Sequence, residues 1–440
     1  MKRLFCLFLI LTFGLLACAP TPPATQSPGV PEASVAPAAG ASGIAPAQPR
    51  ASAVPAPAPT LPPLSAENLL SNGDAESAEG WTADHWGDLQ AQLRRETADD
   101  AYDGRHYLAA EVQNFAEGDA KWVHDPVTLA PGWYEYSAAY RSDGRSRLIW
   151  SCTRPDGSRS FYTGGQTHSS ADWQPLRLRF YVSPEQADCA ISVMHVLDRN
   201  GWQHSDHHSL LPAAAHPLTR PLVSISFDDI WTSAATAGAD LLEARGWKGS
   251  FYIAGNYVRS GEAAHANPDQ VRALLQQGHE IGSHSQTHAM LSTLDYSELT
   301  QDLRDHHQYL EWLGADPRGM AYPFGDFDQQ VETETQRFHA YARTSLTGLN
   351  DRLTDPYRLK IFPVTAATTT AELKRWVDDA QRTRTWLVFL FHDLNDTPGE
   401  YFYTTGLSQY RELLEYIAAQ NLTVLPVDEA LAEVQAQRLK

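Results

Sequence analysis

Positive charge is what this chain most lacks. Lys and Arg number 34 against 53 Asp and Glu, a formal net charge of −19 over 440 residues. Nucleic acid and anionic lipid are held by clustered cations that release counterions, and no basic patch stands out to do so. Cysteine is scarce too, with four in the whole sequence. No long membrane span is read in the N-terminal apolar run Leu4 to Leu16, because a spanning helix needs about 20 residues. With 42% hydrophobic and 20% charged residues, the composition is that of a soluble, globular chain. Its length exceeds one typical domain and leads us to expect two folded units and a tail.

The basic start Met1-Lys2-Arg3 before that apolar run reads as a secretory signal. Leu15-Leu16-Ala17-Cys18 resembles a bacterial lipoprotein box, which implies cleavage before Cys18 and lipidation of its thiol. The alternative is an ordinary signal with an incidental cysteine. Ala19 is not the aspartate of inner-membrane retention. An exported lipoprotein of the cell envelope is expected, lipid-anchored in the outer membrane and facing the periplasm if the cell has two membranes. Cys152 and Cys189 are then the remaining thiols, and a disulfide or two buried free thiols both stay open.

Four segments are expected: a signal peptide over 1–17, a tether over 18–65, a β-sandwich over 66–212 and a catalytic unit over 213–440. The tether is rich in Pro and Ala without hydrophobic period, so it reads as an extended, polyproline-like spacer. In the sandwich segment, short alternating runs such as Tyr134, Tyr136, Ala138 and Tyr140 follow turn residues. It holds Trp81, Trp86, Trp122, Trp133, Trp150, Trp173 and Trp202, most of which we assign to the core. His204, Asp206, His207 and His208 offer metal donors but read as a solvated run before a linker. After Pro212, strands alternate with helices. Asn267 caps a helix opened by Pro268, and Asp295 and Glu298 form a capping box. Tyr410, Leu413, Leu414 and Ile417 make a further apolar stripe. Such β–α repeats give a parallel sheet, open or closed.

The chemistry concentrates where strands end. Val223 to Phe227 alternates large and small residues, and Asp228 and Asp229 close it with opposite parity, which suits them to different tasks. His284 and His288 follow four apart, then Ala321-Tyr-Pro-Phe324-Gly325, then an apolar strand closed by His392. Two imidazoles and a carboxylate are the donor set of a catalytic zinc-type site with an open position.

In order and spacing, Ser226-Phe-Asp-Asp229, His284-Ser-Gln-Thr-His288 and Leu390-Phe-His392 resemble the motifs of the polysaccharide deacetylases, carbohydrate esterase family four. The resemblance covers about residues 219–432. It implies an α/β fold: a distorted (β/α) barrel of fewer than eight repeats, preceded here by the all-β sandwich. It implies that Asp229, His284 and His288 hold a divalent metal, zinc first, with cobalt or nickel as alternatives. Asp228 would be the general base, His392 the general acid, and the Phe324 backbone N–H an oxyanion donor. The expected reaction is removal of acetyl groups from a polysaccharide, with N-acetylglucosamine polymers first. The rivals are an O-acetyl esterase on xylan-type polymers and a non-catalytic carbohydrate-binding lipoprotein. No protein partner is implied. The family's usual arginine before its third-motif proline is Ala321 here, so Arg343 and Lys360 are the candidate replacements, Arg343 first because its fork can hold both carboxylate oxygens, against the alternative that both are surface charges. Asn68 to Glu76 and Asp206 to Leu210 resemble the opening and closing strands of jelly-roll carbohydrate-binding modules, which implies Glu76 and Asp206 near a structural calcium.

Overall fold

A computed structural model describes residues 61–397 and 401–438. The signal segment, Cys18 and the tether up to residue 60 lie outside the described residues. Thr60–Lys440 forms one compact unit.

Its first half is an antiparallel sheet of nine strands. They are β1 (Trp81–Thr97), β2 (His106–His124), β3 (Val127–Thr128), β4 (Gly132–Ser142), β5 (Arg147–Thr153), β6 (Arg159–Gln166), β7 (Ser170–Val182), β8 (Ala190–Leu197) and β9 (Gly201–Pro212). The long β2 pairs with β9 through residues 108–112 and with β8 through 120–123. Two branches leave it, β9-β4-β7 and β8-β5-β6. Between them lies one apolar cluster, in which Tyr134, Tyr136, Ala138 and Tyr140 of β4 join Leu148 and Trp150 of β5 and Leu178 and Phe180 of β7. Alternation along β4 produces this, since every second side chain faces inward. Cys152 and Cys189 are joined by a disulfide inside that cluster.

Three expectations for this half are corrected. Asn68 to Glu76 is not a strand: Asn72 and Ala75 take left-handed backbone conformations, and the segment is a loop pinned to β9, with Leu69 N bonded to Leu210 O and Leu210 N to Asn68 Oδ1. The His204 to His208 run is not solvated, because Asp206, His207 and His208 are all buried. Of the seven tryptophans only Trp81, Trp133 and Trp150 are buried, while Trp86 is exposed.

The second half holds β10 (Leu222–Phe227), β11 (Ser250–Ile253), β12 (Glu280–Ser283), β13 (Gly319–Ala321), β14 (Tyr341–Thr347), β15 (Leu359–Pro363), β16 (Trp386–Phe391) and β17 (Thr423–Val424). Between them run α1 (Ala239–Glu243), α2 (Gly255–Ser260), α3 (Pro268–Gln276), α4 (Tyr296–Leu313), α5 (Gln329–Thr335), α6 (Thr370–Thr383) and α7 (Leu407–Ala419), and α8 (Val427–Arg438) ends the chain. The strands β10 to β16 pair in sequence and all in parallel, and β10 pairs with both β11 and β16, so the ring closes. It is distorted. The pairing of β12 with β13 is reduced to Ser283 and Met320, and β14 against β15 shifts register. β17 lies beside the first half of β10 and β11 beside its second half.

Period two then sorts every strand. Val223, Ile225 and Phe227 face the surrounding helices, whereas Leu222 packs with Tyr252, Tyr341, Ile361, Trp386, Val388 and Leu390 in the barrel interior, plugged from below by Val427, Leu431 and Val434 of α8. The helices start where the sequence puts them. Asn267 and Asp295 each complete a capping box, and Gly314 ends α4 in a left-handed conformation.

The two halves share packing. Trp133 of β4 belongs to the same apolar cluster as Leu349, Phe362 and Trp376 of the barrel. Arg179 of β7 pairs with Asp351 at 2.7 Å and donates to Ala214 O.

Candidate active site

The inward parity of four strands carries straight on into the site residues. Leu222, Ser224 and Ser226 lead to Asp228; Gly282 leads to His284; Tyr341 leads to Arg343; Trp386, Val388 and Leu390 lead to His392. All four therefore meet at the C-terminal end of the barrel, the face where such folds place their sites. Gly282 is needed below His284, since a Cβ there would lie 2.6 Å from the Tyr252 ring.

Asp229 escapes the strand rule. It and Ile230 both take left-handed φ values, 67° and 64°, uncommon for an aspartate and costly for a β-branched residue. That turn swings Asp229 back toward the histidines. His288 Nε2 comes within 3.1 Å of Asp229 Oδ1 and His284 Nε2 within 3.5 Å.

Each histidine is held by its other side. His284 Nδ1 faces the Ala321 carbonyl at 2.7 Å, which makes Nδ1 the donor and leaves the Nε2 lone pair free. His288 Nδ1 lies 3.3 Å from the Tyr257 hydroxyl. The loop joining them is clamped by Asp302 of α4, whose carboxylate accepts the N–H groups of Gln286 and Thr287 and the Thr287 hydroxyl.

A cation fits here. One ligand atom each from Asp229, His284 and His288 lies within 4.8 Å of the others, and Asp229 Oδ1 is buried with no donor aligned to it. Burial opposes the charge of Asp229, but the approach of His288 and the neighbouring His392 and His284 outweigh it and hold the carboxyl below the usual carboxylate range. Burial pushes His284 down to about 4 despite Asp228 and Asp229 beside it, so the ring is neutral and ready to ligate near pH 7.

Asp228 meets Arg343. The guanidinium donates through Nη2 to Asp228 Oδ1, both side chains being buried, and lies 4.9 Å over the Tyr252 ring. Lys360 does not reach Asp228: it is half-buried against β7, where Nζ donates to the Arg179 carbonyl at 3.1 Å. Phe324 sits in a left-handed turn (φ 57°) next to Gly325 (φ 66°), where a Cβ would lie 1.8 Å from Ser345 Oγ. Its exposed ring lies 4.6 Å from the His288 ring. His392 has its pKa lowered, first by burial, and Asp393 steadies its loop by accepting from Ser233 and Thr404.

The sequence reading missed an aromatic wall. Tyr403 packs on His392 at 4.8 Å, Tyr401 OH reaches Asp229 Oδ2 at 3.4 Å, and Trp231 packs on Tyr401 at 4.9 Å. The run Tyr401-Phe-Tyr403 was the one available signal.

The other sequence candidates are dispersed. Glu76 accepts the backbone N–H groups of Arg105 and His106, and Asp206 those of Asp103 and His207. Both carboxylates tie down the same loop. Neither belongs to a group of three carboxylate, imidazole or thiol donors among the described residues.

Residues 215–342 match the polysaccharide deacetylase family. This part of the chain is a polysaccharide deacetylase domain. The match takes in Asp228, Asp229, His284, His288 and Phe324 and stops one residue short of Arg343. Among curated relatives, the peptidoglycan-N-acetylglucosamine deacetylase PgdA of Listeria monocytogenes is 29% identical over 161 residues, 36% of this chain and 33% of its own length. The chitin deacetylase of Colletotrichum lindemuthianum is 29% identical over 108 residues, 24% of this chain and 43% of that protein. The alignment thus spans about a third of the length of the first of these. Among solved structures, the CE4 domain of a multidomain xylanase from the hindgut metagenome of Trinervitermes trinervoides aligns with a TM-score of 0.36 at 18% identity, over 48% of this chain and 89% of that one. The peptidoglycan deacetylase PdaC from Bacillus subtilis gives 0.34 at 18% identity, over 50% and 94%. Within the deacetylase domain, the residues that the family pattern and the geometry share are those at the strand ends.

Proposed function

We propose that this protein removes acetyl groups from a polysaccharide by hydrolysis, with the N-acetyl groups of an N-acetylglucosamine-containing polymer as the first substrate. The observation that carries this is the buried carboxylate oxygen of Asp229 between two imidazole Nε2 atoms, beside an arginine-held Asp228. A divalent cation held by Asp229, His284 and His288, zinc by the chemistry of the donors, would polarise the acetyl carbonyl and acidify water.

The chain's own groups do the rest. Asp228, oriented by Arg343, takes a proton from the attacking water. His392 faces the site from β16 and returns a proton to the leaving amine; such acid and base groups contribute about 10²–10⁴-fold each. The Phe324 N–H, fixed by the left-handed turn, donates to the oxygen as it gains charge. The exposed rings of Phe324 and Tyr403 flank the mouth, and aromatic faces of this kind stack on sugar rings.

Acetate release should be measured on chitin oligomers, poly-N-acetylglucosamine, peptidoglycan and acetylxylan. Release from the amide substrates is expected. Release from acetylxylan alone would reassign the protein as an ester hydrolase, and none from any polymer would leave the non-catalytic binding reading.

A further inference from the structure

The two carboxylate oxygens of Asp229 have different surroundings. Oδ1 lies 3.1 Å from His288 Nε2 and 3.5 Å from His284 Nε2, on the side where a cation fits. Oδ2 accepts from the hydroxyl of Tyr401 at 3.4 Å. A phenol keeps its proton at neutral pH, so the hydroxyl donates and the carboxylate accepts.

Tyr401 also meets the turn that carries Asp229. Its ring packs on Trp231, two residues further along, with centroids 4.9 Å apart and planes 33° from parallel. Between them the backbone takes the left-handed φ values of Asp229 and Ile230, a conformation that persists only where its surroundings fix it. On one side the turn is held by the fully buried Ile230, whose carbonyl accepts from Ala266 N at 2.9 Å. Facing the site, Tyr401 touches both the carboxylate and the ring that follows it.

The tyrosine is itself tied down beside His392. Thr405 N donates to Asp393 O and Asn395 N to Thr405 O, both at 2.9 Å, and Thr404 Oγ1 donates to Asp393 Oδ2 at 3.1 Å. Phe402 O accepts from Ala366 N at 2.9 Å, just beyond β15. The Tyr401 ring stands edge-on to His392 at 6.2 Å and lies 5.7 Å from Tyr403. Backbone pairing and neighbouring rings thus fix where the hydroxyl sits.

We infer that Tyr401 is a positioning residue of the metal site: its hydroxyl takes Asp229 Oδ2 and so turns Oδ1 toward the two imidazoles. The inference rests on the reading, given above, that Asp229, His284 and His288 hold a cation. The terminal torsion of an aspartate is broad and two-fold, so an unheld carboxylate would present either oxygen, or both. With Oδ2 committed to the hydroxyl, one oxygen is offered, and a position stays open for water and substrate. Tyr401 touches the ligand and not the reacting atoms; it acts through Asp229.

The test uses the full chain stripped of metal, as wild type, Tyr401→Phe and Trp231→Leu. Zinc affinity is measured by competition with a chromophoric chelator, and the visible spectrum is recorded after loading with cobalt. Losing a partner behind a metal ligand predicts that Tyr401→Phe, which keeps the ring, binds zinc about 10–100-fold more weakly. Its cobalt spectrum should change as well, because that spectrum reports ligand geometry. A role in folding alone would leave both unchanged in the folded variant. If Tyr401→Phe fails to fold, Trp231→Leu, which removes the face that seats the Tyr401 ring, should weaken zinc in the same direction. Wild-type protein that takes up neither zinc nor cobalt overturns the cation reading itself. Wild-type protein that binds zinc, with folded variants that bind it equally well and give the same cobalt spectrum, overturns the role of Tyr401 and leaves the cation reading standing.

Discussion

Ala321 and Arg343 are register partners on the neighbouring strands β13 and β14. The position where the family pattern carries its arginine is filled by a methyl group, and the guanidinium comes instead from the same level one strand over. The small side chain leaves the interior open for it. Arg343 crosses above the Tyr252 ring to reach Asp228. Below it the Tyr252 hydroxyl meets the Tyr341 hydroxyl at 3.0 Å, and Tyr341 in turn bonds Glu280 at the barrel floor.

Replacing Arg343 by alanine is expected to lower kcat/KM about tenfold or more, because Asp228 loses the charged hydrogen bond that orients it. Stability should fall by about 3–5 kcal/mol, because a buried charge loses its partner. Denaturant titration and steady-state kinetics check both. An unchanged kcat/KM in a folded variant would show that Arg343 does not position the base.

Trp133 joins the nine-stranded half to the core of the barrel, and Arg179 lies 5.4 Å over its ring. Truncating a buried tryptophan costs about 3–5 kcal/mol. Trp133→Ala should therefore lower the melting temperature of the whole unit, and the wild type should unfold in one calorimetric transition. Two separate transitions, only one of them shifted by the substitution, would mean that the halves are energetically independent.

Buried histidines make the nine-stranded half acid-sensitive. Burial lowers His195 to about 3, and burial together with nearby His195 and His124 lowers His208 to about 3. An unfolded histidine titrates near 6.5. Between those values the unfolded chain binds more protons than the folded one, so stability rises with pH there. It is fully present above about 6.5 and is lost progressively as pH falls toward 3. Urea midpoints between pH 7.5 and 4 should decline, and His195→Asn should make the decline shallower. A flat dependence would contradict the burial of these rings as neutral groups.

The parts of the site legible in the sequence are those whose chemistry and strand parity coincide: Asp228, His284 and His392 each extend an inward-facing row. Asp229 was legible by donor type, whereas the left-handed turn at Asp229 and Ile230 that aims it was not, because nothing in an aspartate-isoleucine pair signals positive φ. The fork of Arg343 favours it over Lys360 in the sequence, but both follow short strands, and it is the sheet register that brings Arg343 and not Lys360 to Asp228. Asp302 and Tyr401 come from a helix and a loop. Tertiary packing alone brings them to the site, and local pattern carries no trace of it. The loop at 68–76 read as a strand for a related reason: its apolar Leu69 and Leu70 sit beside β9 without following its ladder.

The central claim is that a cation at Asp229, His284 and His288 is required for deacetylation. The most direct measurement is metal content per chain alongside acetate release from an N-acetylglucosamine tetramer, for protein as purified, after chelation and after return of zinc, with His284→Ala in parallel. The account predicts close to one metal per active chain, loss of both signals on chelation, recovery of both with zinc, and neither signal in the folded His284→Ala variant. Full acetate release from metal-free protein, or from His284→Ala, would contradict it.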